Sequence, residues 1–60
     1  MNSAMPRDPR ILLSYVNTKL RDGYGSLREF CGETDTDMEA LIAELSAIGY
    51  SYDEKTNQFR

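Results

Sequence analysis

The chain has no histidine, one cysteine, two prolines, four glycines and no long apolar run among its 60 residues. Each scarcity removes a class of protein. Without histidine, the side chain that most often moves protons near pH 7 is missing. One cysteine rules out an intrachain disulfide, and the same shortage leaves no Cys/His cluster for zinc. No stretch approaches the 18 or more apolar residues of a membrane span. The opening MNSAMPRDPR lacks the apolar segment of a secretory signal. These features predict a cytoplasmic protein with no membrane contact. A chain this short buries only about 60% of the surface it exposes when unfolded, and one small core leaves roughly 3–5 kcal/mol of net stability. Its stability therefore rests on tight packing or on self-association.

Basic charge is scarce in the second half. Residues 1–30 carry five basic side chains against three acids, a balance of +2, whereas residues 31–60 carry two against seven, a balance of −5. Screening at physiological salt limits the reach of this dipole to roughly 8 Å, so it acts only between surfaces already close together.

Residues 1–7 are expected to be disordered and residues 8–60 to form a single domain. In RDPRILLSYVNTKLRDG, Asp8 suits a helix N-cap, Pro9 the first helical position and Gly23 the residue beyond the end. Leu12, Leu13, Val16 and Leu20 share one face, and Ile11 and Tyr15 widen it beyond the stripe of about 100° that a surface helix needs. In SLREFCGE, Ser26 and Glu29 form a capping box ahead of Leu27, Phe30 and Cys31, and Gly32 is expected to stop the helix after barely two turns. In TDME a second capping box pairs Thr36 with Glu39, and Asp35 and Asp37 add charge that the helix dipole favours. Met38, Leu41, Ile42, Leu45 and Ile48 follow as an apolar stripe ended by Gly49. Ala40, Ala43 and Ala47 lie off that stripe, as good helix formers.

The tail GYSYDEKTNQFR alternates Tyr50 and Tyr52 with Ser51, as a half-buried strand does. Asp53 and Asn57 suit the turn, and Gln58, Phe59 and Arg60 suit a short return strand. A lone hairpin is marginal, so its aromatics are expected to lie on the flank of the first helix at Ile11 and Tyr15.

The reactive residue types have structural explanations. Cys31 has no histidine partner and its spacing turns it to the core. Asp35, Asp37 and Glu39 lack the twelve-residue calcium-loop pattern and suit helix capping instead. Gly23 and Gly25 belong to no phosphate-binding loop. No catalysis, metal, cofactor or small-molecule ligand is expected.

Short helix, turn, longer helix, hairpin is the layout of a winged helix-turn-helix, whose second helix reads the major groove with its N-terminal residues. Here those residues are Asp37, Glu39 and Ala40, with Glu44 a turn later, and DNA affinity comes mainly from basic side chains. Nucleic acid is therefore disfavoured as a partner. The alternative route is a basic surface from Arg7, Arg10, Arg21 and Arg28.

DPRILLSYVNTKLRD, SLREFC and IGYSYDEKTNQF together resemble a family of short bacterial proteins classed as domain of unknown function number 4250. The resemblance runs from about Asp8 to Phe59 and implies a free-standing domain. It carries no activity and no functional residues.

The sequence thus predicts a mainly α fold: a three-helix core in a helix-turn-helix-like arrangement, closed by a short C-terminal β-hairpin. The expected role is protein–protein interaction or self-association without catalysis. The expected surface is the side of the first helix around Tyr15, Asn17, Thr18 and Lys19, with Tyr24 in the following turn.

Overall fold

The computed structural model describes residues 5–60. Three helices, α1 (Pro9–Asp22), α2 (Leu27–Thr34) and α3 (Met38–Ser46), precede an antiparallel hairpin of β1 (Tyr52–Asp53) and β2 (Gln58–Phe59). The mainly α fold with a C-terminal hairpin is as expected. Of the N-terminal segment expected to be disordered, residues 1–4 lie outside the described residues, and Met5 packs half-buried against the core.

Helix α1 begins where its capping signals lie. The Asp8 carboxylate accepts the Arg10 N–H at 2.9 Å, and Pro9 takes the first position. The four-residue spacing of Leu12, Val16 and Leu20 puts all three on the face the core covers.

Helix α2 departs from expectation at both ends. Ser26 Oγ accepts the Glu29 N–H at 3.1 Å, but the Glu29 carboxylate reaches past the cap to the Gly25 N–H at 2.9 Å. Gly32 does not stop the helix, which runs on to Thr34. A helical glycine costs only about 1 kcal/mol relative to alanine, and a stronger end signal follows. Asp35 adopts a left-handed conformation, φ 56°, and the Asp35 and Thr36 N–H groups both turn back to the Cys31 carbonyl. Aspartate is one of the few residues besides glycine that visit this region routinely.

The expected Thr36 cap is corrected as well. Thr34 Oγ1 donates to the Phe30 carbonyl at 2.8 Å, so its single proton is spent. The Thr36 hydroxyl, 2.7 Å away, must be the donor to it. Thr36 thus secures the end of α2, and Asp37 caps α3 by accepting the Glu39 and Ala40 N–H groups at 3.1 and 3.3 Å. At the other end of α3, Gly49 at φ +91° allows Tyr50 N–H to reach Leu45 O at 3.0 Å and Gly49 N–H to reach Ser46 O at 2.9 Å. This nested pair is a Schellman stop, and it aims the chain into the hairpin.

The buried core comprises Leu12, Val16 and Leu20 from α1, Leu27, Phe30 and Cys31 from α2, Leu41 and Leu45 from α3, and Phe59 from β2. Tyr50 and Tyr52 pack half-buried against it. Burying a side chain such as Phe59 contributes about 1.5–3 kcal/mol, a large share of the stability available to so small a chain. The aromatic ribbon is therefore an internal lid.

The flank it covers is not the one expected. Phe59 is held by Asn17, as the Asn17 Nδ2 donates to the Phe59 carbonyl at 3.1 Å and the Phe59 N–H donates to Asn17 Oδ1 at 2.8 Å. Asn17 lies about 200° around α1 from Tyr15, at 100° per residue. Ile11, on the uncovered side, is 57% exposed.

Strand register explains the Asn17 contact. Ser51 and Arg60 exchange both backbone bonds, at 3.2 and 2.9 Å, and Tyr52 lies opposite Phe59. Antiparallel pairs alternate between bonded and non-bonded, so the Phe59 N–H and C=O face away from β1. The Asn17 amide meets both, as a neighbouring strand would, and closes that edge.

A second contact joins the hairpin to two helix ends. Asn57, left-handed at φ 56°, donates from Nδ2 to the Leu20 carbonyl at 3.2 Å and the Tyr24 carbonyl at 3.0 Å. Tyr52 Oη donates to Asn57 Oδ1 at 2.6 Å and accepts the Leu27 N–H at 3.1 Å. The Leu20 carbonyl and Leu27 amide are among the groups that helix ends leave without intrahelical partners, and one network satisfies both.

Two stability measurements follow from these local geometries. Asn57→Ala should cost about 2–3 kcal/mol in urea unfolding, because it leaves several half-buried groups unpaired. Asn57→Gly, which loses the same bonds but accommodates the left-handed backbone, should cost about 1 kcal/mol less. Equal losses would show that backbone conformation contributes nothing there. A Cβ at Gly32 would meet nothing within 4 Å, so Gly32→Ala should stabilise by about 0.5–1 kcal/mol. A loss of stability would contradict the continuous α2.

Candidate interaction surface

With the hairpin on the Asn17 flank, the opposite side of α1 is left open. Ile11, Ser14, Tyr15, Thr18 and Lys19 line a shallow depression of 400 Å³ there. Their spacing of three, four and seven places them on one helix face. Tyr15 is half-buried against the core, so its ring is fixed from below, and the Lys19 ammonium sits 5.5 Å from its centroid. A cation over an aromatic face at this range is attracted by the ring quadrupole. The result is an apolar patch edged by positive charge.

Of the residues expected to form the surface, the fold brings Tyr15, Thr18 and Lys19 together and adds Ile11. Asn17 is corrected, because both ends of its amide are spent on Phe59. Tyr24 is turned inward, with its ring edge-on to Phe30 at 5.3 Å between centroids and 77° between planes, and its carbonyl accepts from Asn57. Ile11 was legible only as an apolar excess on the first helix, and nothing in the sequence said which flank the hairpin would take.

The basic side chains of the alternative reading, Arg7, Arg10, Arg21 and Arg28, are all exposed. Arg21 Nε is paired with Asp22 at 3.1 Å. Arg28 lies elsewhere, lining a groove between α2, α3 and the hairpin.

Cys31 is buried and free. Burial pushes its thiol pKa up, and the negative charge of Asp37 adds to the rise. Both effects suppress the thiolate that nucleophilic chemistry needs. Among the described residues no group of three or more metal-ligating side chains converges, and no helix is long and apolar enough to cross a membrane.

A family model described as Domain of unknown function (DUF4250) matches residues 6–59. The chain belongs to this family. No curated protein and no solved structure matches it. The matched span of this DUF4250 domain takes in all three helices, both strands and every residue of the α1 patch.

The reassignment of Asn17 can be checked by stability. Asn17→Ala should cost about 1–3 kcal/mol by exposing an unpaired strand edge within a partly buried contact. Asn17→Asp keeps the acceptor for the Phe59 N–H but sets a carboxylate against the Phe59 carbonyl. Its deficit relative to the wild type should shrink as pH falls and the introduced carboxyl gains a proton to donate. An Asn17→Ala variant as stable as the wild type would return Asn17 to the exposed surface.

Proposed function

We propose that this DUF4250 domain is a non-enzymatic protein-interaction module of the bacterial cytoplasm, and that it binds through the outer face of α1. The observation that carries this reading is Ile11, 57% exposed on the same helix face as Tyr15 and Thr18. A helix enters a partner's groove through apolar anchors at spacings such as i, i+4 and i+7, and Ile11 and Tyr15 supply two of them at i and i+4, with the smaller Thr18 at i+7. A half-buried tyrosine supplies a rigid anchor at little entropic cost, and tyrosine is common among residues that dominate binding energy. The chain keeps this face open although its own core is small, and Leu12, Val16 and Leu20 already serve the fold from the opposite side.

The absence of catalysis in this proposal rests on the missing histidine and on a cysteine held protonated in the core. Nucleic-acid binding has weaker support. The N-terminus of α3 offers Asp37 and Glu39 where a reading helix needs bases or amides, and the hairpin is occupied in closing the core.

A photo-crosslinking residue at Thr18, introduced in the native host, tests the proposal. The expected product is a covalent adduct with protein, lost when Ile11→Asp is added. Adducts with RNA or DNA, abolished by Arg10→Ala with Arg21→Ala, would overturn it in favour of the nucleic-acid alternative. Absence of any adduct would overturn it as well.

A further inference from the structure

Among the described residues two large aliphatic side chains remain exposed, Ile11 on α1 and Ile42 on α3, and their settings are complementary. Ile11 stands on an open helix face beside Lys19. Ile42 lies in a groove of 420 Å³ walled by Leu27, Met38 and Tyr52, with Arg28 and Glu54 also lining it. Met38 and Tyr52 are only half-buried, so the groove offers apolar surface that the fold leaves partly unused. It has ample room for an isoleucine side chain.

The groove's own lining balances Arg28 against Glu54, and the charge difference lies in the helices around the two surfaces. Helix α1 carries Arg10, Lys19 and Arg21 against Asp22 alone. From Thr34 to Glu54 there is no lysine or arginine, and Asp35, Asp37, Glu39, Glu44, Asp53 and Glu54 all fall there. Glu39 precedes Ile42 by one helical turn and Glu54 lines the groove itself.

We infer that the occupant of the groove is a second copy of this chain, whose α1 inserts Ile11 against Ile42 and Met38 and brings Lys19 toward Glu54 and Glu39. This rests on the reading of α1 as the binding face and names its partner. The two surfaces are different, so the contact is heterologous. Each copy keeps one free α1 face and one free groove, and growth continues head to tail into a ring or an open chain.

Sedimentation of the purified full chain up to about 1 mM tests this. Wild type should grow beyond a dimer, more readily at low salt than at high salt. Ile11→Asp and Ile42→Asp should each weaken self-association by at least about tenfold, since each places a charge in an apolar contact. Mixed together, they should form a one-to-one complex and nothing larger, because the first retains an intact groove and the second an intact α1 face. Lys19→Glu should weaken association about threefold at low salt, and Glu54→Lys in the partner should restore it.

Ile11 is 57% exposed and Ile42 36%, so circular dichroism is needed to show folded variants, and Ile11→Ser with Ile42→Ser supplies a second pair if either aspartate variant unfolds. Wild type that stays monomeric, or a mixture that does not recover, overturns the inference. Monomeric wild type combined with a protein adduct at Thr18 would leave the α1 reading standing with a different partner. Failure of both experiments would remove both.

Discussion

The hydrogen-bond chain from Leu27 N–H through Tyr52 and Asn57 to the carbonyls of Leu20 and Tyr24 is the constraint on which the rest of this small protein depends. It joins the end of α1, the turn, the start of α2 and the hairpin at one point. Every polar atom in it is used: the tyrosine hydroxyl gives and takes one bond, and the asparagine amide gives two and takes one. In a chain of this size, where one core supplies roughly 3–5 kcal/mol, such saturation matters, because a half-satisfied polar network is worse than an apolar contact. Two-residue strands are marginal by themselves, and this network is one of the contacts that tie the hairpin to the helices.

The Asn17 contact does for the strand edge what Asn57 does for the helix ends. A side-chain amide presents one donor and one acceptor at the spacing of a backbone, so it can stand in for a third strand where none exists. With β2 closed in this way and Phe59 in the core, the hairpin is fixed against α1. This also decides which side of α1 faces water. The helix is apolar on more than one flank, and the flank without an asparagine is the one left exposed.

What remains outside is chemically simple. The thiol is buried and disfavoured as a thiolate, Asp8, Glu29, Asp37 and Asp53 serve caps and turns, and the described residues form no converging metal-ligand group. The surface features that resist a structural explanation are two isoleucines and an uneven charge distribution.

Local physics was legible in the sequence wherever a single residue type settles a local geometry. Asp8 and Pro9 start α1, Ser26 starts α2, Gly49 stops α3, and alternating Tyr50 and Tyr52 open the hairpin, as their chemistry predicts. The reading failed where two local signals competed within a few residues: Gly32 against Asp35 for the end of α2, and Thr36 against Asp37 for the cap of α3. It failed again at Asn17, which looks like any polar residue on an amphipathic helix. Which helix flank receives a strand depends on register and on contacts across forty-two residues, and no local pattern encodes them. Helical periodicity and capping by themselves determined three helices, and two-residue alternation with turn chemistry determined the hairpin. Only the tertiary structure decided that Asn17 and Asn57 lock the hairpin down and that Ile11 stays in water, because polar groups drawn even partly out of water must find partners wherever the folded chain brings them.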